Sequence, residues 1–193
     1  ENYTLVDINR SGTPLMEIVS EPDMRSPAEA RDYLVRLRQI LRYIGVSEAN
    51  MEDGNFRCDA NVSLRPVGSD TFGTKVEVKN MNSVRAVGSA IDHEVRRQAE
   101  ELAAGTPIVL HTRLWDPDKE VTTPMRAKFE GPCIPDPSVP PITLAEEWIA
   151  DIRDRLPEMP AQRQARFAEE YGLLDDEAAQ MSAELDVAEY FEA

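Results

Sequence analysis

The sequence predicts an α+β fold, an antiparallel β-sheet with packed helices, followed by the start of an all-helical domain. Three observations predict it. Apolar and polar residues alternate with period 2 on both sides of a turn between positions 56 and 79. Two long stretches, 26–45 and 83–105, carry helix caps and 3.6-residue apolar spacing. Beyond a proline-rich segment at 132–141, only helix-period patterns appear. That segment divides the chain into a sheet-bearing unit, residues 1–134, and a helical unit, residues 135–193. With 193 residues, 41% of them hydrophobic, the chain can bury a real core.

In chain order, residues 5–7 and 15–21 read as short strands around a turn at 9–14, with Ile18 and Val19 supplying β-branched side chains. Ser26, Pro27 and Glu29 form a capping box with proline at the first helical position, and Ala30, Leu34, Leu37, Leu41 and Ile44 keep helical spacing up to Gly45. The arginines of this helix, Arg31, Arg36, Arg38 and Arg42, read as a solvated face. Ser83 opens a second helix that runs to Gly105 and covers the apolar face of the sheet. Residues 108–115 and 120–128 predict a strand pair around the Asp116-Pro117 turn. Thr143 and Glu146 form another capping box, a helix from Arg163 to Tyr171 closes at Gly172, and Ala188, Tyr190 and Phe191 begin one more helix whose aromatic residues lack obvious partners. His93 and His111 read as unpartnered, and Trp115, Trp148 and the methionines as packing residues.

The hairpin carries the chemistry. If its two strands pair, Asp59, Asn61, Glu77 and Lys79 share one face. Two readings fit that face: cross-strand salt bridging on a solvated surface, or a site for a divalent cation and phosphate. Carboxylate and amide oxygens suit hard Mg²⁺, and lysine supplies a point charge for phosphoryl oxygens.

The net charge of -15 is uneven: residues 143–193 hold 14 acidic against 4 basic residues. Such a segment repels a phosphate backbone, so nucleic-acid contacts are expected from the first part or from a partner. Cys58 and Cys133 form neither a metal-ligand spacing nor a disulfide framework, which suits a reducing cytosol. No apolar run approaches the roughly 18 residues of a membrane span, and the start at Glu1 without basic-then-apolar patterning predicts a cytoplasmic fragment of a longer chain.

Two blocks, VDINRSGTPLMEIVSEPDMRSP at 6–27 and RCDANVS at 57–63 followed by FGTKVEVKNMNS at 72–83, closely resemble the GatB family, the B subunits of aspartyl/glutamyl-tRNA(Asn/Gln) amidotransferase. The resemblance runs from Leu5 to about Lys128 and resumes from Pro135 through Tyr190. It implies that 1–134 is a partial catalytic, cradle-like domain. It further implies a heterotrimeric complex with two partners, a glutaminase and a small third protein. In that complex the GatB member uses ATP and Mg²⁺ to phosphorylate the side-chain carboxylate of Asp or Glu misacylated on tRNA(Asn) or tRNA(Gln), before ammonia displaces the phosphate. The family pattern implies Glu17, Asp59 and Glu77 as catalytic and metal-ligating residues, with Glu17 the leading ligand, and Asn61, Lys79 and Asn80 as cofactor-binding residues.

The sequence departs from the family in lacking a Gly-Leu-Glu-x-His segment ahead of Glu1, in a loop at 129–135 without the family's tyrosines, and in lacking a tRNA-contacting tail domain. These departures predict weak tRNA affinity and no amidation by this chain alone. They also support a rival reading, a non-catalytic scaffold or tRNA-binding remnant of the same family. An unrelated metal-dependent hydrolase would need a supported histidine near the carboxylates, and neither histidine has a motif around it.

Overall fold

The computed structural model describes residues 4, 5, 7, 12–127 and 137–193. Helix α1, Pro27–Tyr43, begins as its sequence predicts: the Ser26 hydroxyl accepts from the Glu29 amide at 3.2 Å, and Gly45 leaves the helix with φ 68°. Strands β1, Cys58–Val62, and β2, Val76–Met81, form the expected antiparallel hairpin. Its long connection closes tightly at Gly73, where a Cβ would stand 2.0 Å from the Leu64 carbonyl oxygen. Helix α2, Val84–Ala103, is capped by the Ser83 hydroxyl on the Ala86 amide at 3.1 Å. Strands β3, His111–Asp116, and β4, Val121–Ala127, pair antiparallel around a turn in which Asp116 Oδ1 accepts the amides of Asp118 and Lys119, both at 3.1 Å.

The strand order is β1-β2-β3-β4. The α+β class stands, but the β2–β3 pairing is parallel, because α2 carries the chain back to the starting end of the sheet. The sheet is therefore mixed. Alternation puts Val76 and Val78 on the face covered by α2, and Leu34 of α1 joins Val78, Met81, Val87, Ala90 and Trp115 in the main core. Cys58 lies on this face, and burial pushes its thiol up to about 11, with the Asp59 carboxylate adding to the effect.

Several expectations are corrected. Residues 15–21 form no strand: Leu15 is 92% and Val19 81% exposed, since no neighbouring strand supplies hydrogen bonds or covers their side chains. In the first expected strand, Val6 lies outside the described residues, while Leu5 and Asp7 are in no strand; Cys133 and the 129–135 loop also lie outside them. Helix α3, Glu146–Asp154, starts after Ala145 with no side-chain cap, two residues later than the Thr143 box predicts. It buries no residue, so Trp148 is largely exposed rather than packed.

Helices α4, Pro160–Tyr171, α5, Asp175–Met181, and α6, Leu185–Glu192, surround a second, smaller core of Phe167, Ala178 and Ala188. Phe191 is partnered after all, with its ring centroid 5.1 Å from those of Phe167 and Tyr171. This unit docks on the end of α1. There the Tyr43 hydroxyl donates to the Ser182 carbonyl at 2.5 Å, Arg42 pairs with Glu184 at 2.6 Å, and Arg163 lies over the Tyr43 ring.

Candidate functional site on the open face of the sheet

The polar residues of the hairpin converge as alternation predicts. Asn61 stands opposite Glu77 in the β1–β2 register. The Lys79 ammonium donates to the Asp59 carboxylate and lies 3.8 Å from Glu77 Oε1. The other oxygen of Glu77, Oε2, accepts from the Thr112 hydroxyl at 2.8 Å, because parallel pairing sets Thr112 beside Glu77. Glu77 is thus mostly enclosed, at 15% side-chain exposure, whereas Asp59 remains 47% exposed. One cation between two carboxylates leaves lone pairs unspent on Asp59 and on Asn61, and both residues face solvent.

Asn80 and Glu17 stand differently. Asn80 has φ 69°, and its amide Nδ2 donates to the Trp115 carbonyl at 3.1 Å, so that nitrogen is engaged within the fold. Glu17 lies on the exposed 15–21 segment, and no three His, Cys, Asp or Glu side chains among the described residues gather as a metal-holding group. Glu17, Asp59 and Glu77 therefore do not gather as such a group in this structure. Asp59 and Glu77 still fit Mg²⁺ in its usual mode, in which one or two carboxylates join phosphate oxygens and waters.

Sequence reasoning missed Thr112, since adjacency of β2 and β3 is a long-range fact that no local pattern carries. It also missed a polar cluster on the opposite face. There Glu94, fully buried, accepts from Arg97 at 2.5 Å, Gln98 at 2.9 Å and Thr122 at 3.0 Å. Arg113 donates to the Thr122 hydroxyl at 2.8 Å and to its carbonyl at 2.6 Å. Burial alone would raise the Glu94 pKa, but the bonds from Arg97, Gln98 and Thr122 and the charge of Arg97 outweigh it and hold the carboxyl below its ordinary value. Both histidines acquire neighbours, against expectation: His93 packs edge-on to Trp115, where burial lowers its pKa, and His111 Nε2 lies 3.2 Å from Arg113. Two cavities lie elsewhere, one lined by Met181, Val187, Tyr190 and Phe191 and another by Arg42, Ser47, Glu184 and Leu185.

A sequence profile of the GatB/GatE catalytic domain matches residues 1–150. The chain belongs to this family. It is 59% identical over 190 residues to B subunit 1 of the aspartyl/glutamyl-tRNA(Asn/Gln) amidotransferase of Syntrophus aciditrophicus, an alignment covering 98% of this chain and 40% of that protein. The corresponding B subunit of Thermosynechococcus vestitus is 53% identical, covering 99% of this chain and 39% of the relative, and that of Desulfotalea psychrophila 50% identical, covering 100% and 41%. The chain thus spans about 40% of the length of these relatives. The profile spans the whole sheet and ends within α3, at residue 150.

Proposed function

We propose that this chain is the sheet-bearing part of the B subunit of a tRNA-dependent amidotransferase, and that its hairpin face takes part in ATP- and Mg²⁺-dependent activation of a side-chain carboxylate. In that reaction the Asp or Glu carboxylate on misacylated tRNA takes a phosphoryl group from ATP, and phosphate leaves as ammonia from the glutaminase partner forms the amide. The observation that carries the reading is the Lys79 ammonium set between Asp59 and Glu77 in a member of this family. A carboxylate oxygen is a poor leaving group, so the demand on the protein is to position phosphate and neutralise its charge rather than to supply a nucleophile. Lys79 would present its charge to phosphoryl oxygens, Asp59 and Glu77 would hold Mg²⁺, and Asn61 would offer an amide beside them. Thr112 fixes the Glu77 carboxylate by engaging one of its oxygens. The complex with the glutaminase and the small third protein, and the encounter with misacylated tRNA, belong to the same proposal. The rival, a scaffold without the phosphorylation step, draws on one observation: among the described residues no three His, Cys, Asp or Glu side chains gather as a metal-holding group.

Lys79→Met separates them. In a full-length relative assembled with its partner proteins, the equivalent change is expected to slow ATP hydrolysis dependent on misacylated tRNA by roughly 10²-fold, the scale of losing one charge-stabilising donor. Glutaminase turnover stays nearly intact, and in the present chain urea denaturation shifts by at most ~1 kcal/mol, as for a partly exposed ion pair. An unchanged hydrolysis rate would return Lys79 to a surface salt bridge.

A further inference from the structure

On either side of Asp59 the hairpin register changes by one: Ala60 faces Val78, but Cys58 faces Met81. Lys79 and Asn80 together therefore stand opposite the single residue Asp59, which is a β-bulge. Asn80 accommodates the extra residue with a left-handed backbone, φ 69°, which asparagine tolerates far better than β-branched or bulky residues.

The bulge decides which side chains reach each face. Unbroken alternation after Val76 and Val78 would point Asn80 into the core and Met81 onto the polar face. Instead Met81 is 5% exposed and packs with Val78 and Trp115, while Asn80 is exposed. The β2–β3 ladder runs Glu77 to Thr112, Val78 to Arg113 and Lys79 to Leu114, and stops there. At the next step, the Asn80 side-chain amide bonds the Trp115 carbonyl at 3.1 Å and continues the tie between the strands. Lys79 is thus held between a ladder position behind it and a clamped bulge ahead of it, with its ammonium on Asp59 and beside Glu77.

We propose that Asn80 is a positioning residue, whose left-handed bulge and amide bond to the Trp115 carbonyl hold the Lys79 ammonium between Asp59 and Glu77. What Lys79 is presented to rests on the phosphate reading above; the presentation itself rests on the geometry. Three substitutions in the 193-residue chain take the device apart. Asn80→Gly keeps the left-handed backbone and removes the amide, Asn80→Asp keeps the size and removes the donor, and Asn80→Val opposes the left-handed backbone. The first readout is the Lys79 ammonium NMR signal and its through-bond coupling to the Asp59 carboxylate. It is expected in the unaltered chain, weakened in the Gly and Asp variants and lost in Val. Should the Val variant not fold, the Gly and Asp variants decide.

The second readout is the dissociation constant for MgATP, expected to rise about tenfold or more in the Gly and Asp variants, the scale of losing a supporting interaction. It is expected not to rise further when the same changes are made in a Lys79→Met background. An unaltered Lys79–Asp59 coupling in both variants would overturn the proposal. So would an additive loss of MgATP affinity in the Lys79→Met background, which would make Asn80 a direct ligand contact. If the unaltered chain binds no MgATP, the phosphate reading fails for this chain while the NMR readout still decides the positioning role.

Discussion

Thr112 and Arg113 are neighbours on β3, yet they enter two polar clusters on opposite faces of the same sheet. On the α2 side, Arg113, Thr122, Glu94, Gln98 and Arg97 are mostly or fully buried and saturate one another; the exception is Gln98 Oε1, which is buried with no hydrogen-bond partner. On the open side, Thr112, Glu77, Lys79 and Asp59 use similar chemistry, but solvent reaches Asp59 and Lys79. The same residue types therefore serve different ends. A buried, satisfied network spends its hydrogen-bonding capacity on the fold and is costly to break, because each lost partner strands a charge. A half-exposed one loses little when altered and keeps capacity for a ligand. Burial and spare valency, rather than composition, set the two faces apart.

The contrast between the faces is most open to test at Glu94. Glu94→Ala is expected to destabilise the chain by about 3 kcal/mol in urea denaturation, the lower range for removing one partner of a buried ion pair, since Arg113 and Arg97 lose their shared carboxylate. A loss no larger than that of Lys79→Met would erase the distinction between the two faces. A sharper contrast comes from two threonines in the same sheet. Thr122→Val removes an acceptor from Arg113 and a donor to Glu94 at once and is expected to cost about 2 kcal/mol; Thr112→Val removes only the bond to Glu77 and should cost about 1 kcal/mol or less. Equal losses would mean that the open face is as structural as the buried one.

The smallest effect is read with acid. Because the folded pKa of Glu94 is depressed, its contribution is fully present above the unfolded carboxyl value of about 4.3 and is lost as pH falls through the lower folded value. Stability measured by denaturant titration should fall through that window. In a Glu94→Gln variant the slope there should be shallower.

Local chemistry made much of the architecture legible. Ser26 with Glu29, and Ser83 ahead of its apolar periodicity, announce α1 and α2, because caps and 3.6-residue spacing are written within a few residues. The hairpin and its shared polar face follow from period-2 alternation in the same way. The 15–21 segment shows where that logic ends: its β-branched residues suit a strand, but a strand exists only when a neighbour completes its ladder, and sequence propensity supplies no neighbour. Trp148 and the Thr143 box likewise had the right local pattern without the tertiary partner or the start position it suggested.

By itself the sequence determined the family, the long helices, the hairpin and the convergence of Asp59, Asn61, Glu77 and Lys79 on one face, since all of these rest on residues close together along the chain. Only the tertiary structure decided that β2 lies parallel to β3, that Thr112 therefore reaches Glu77, and that Arg113 turns inward to Thr122 while Glu94 of α2 accepts the Thr122 hydroxyl from above the sheet. It also decided that a one-residue bulge sends Asn80 out and Met81 in. Those outcomes depend on which strands become neighbours and in which register. That choice is made by the packing of α2 against the whole sheet, at sequence separations where alternation and capping carry no information.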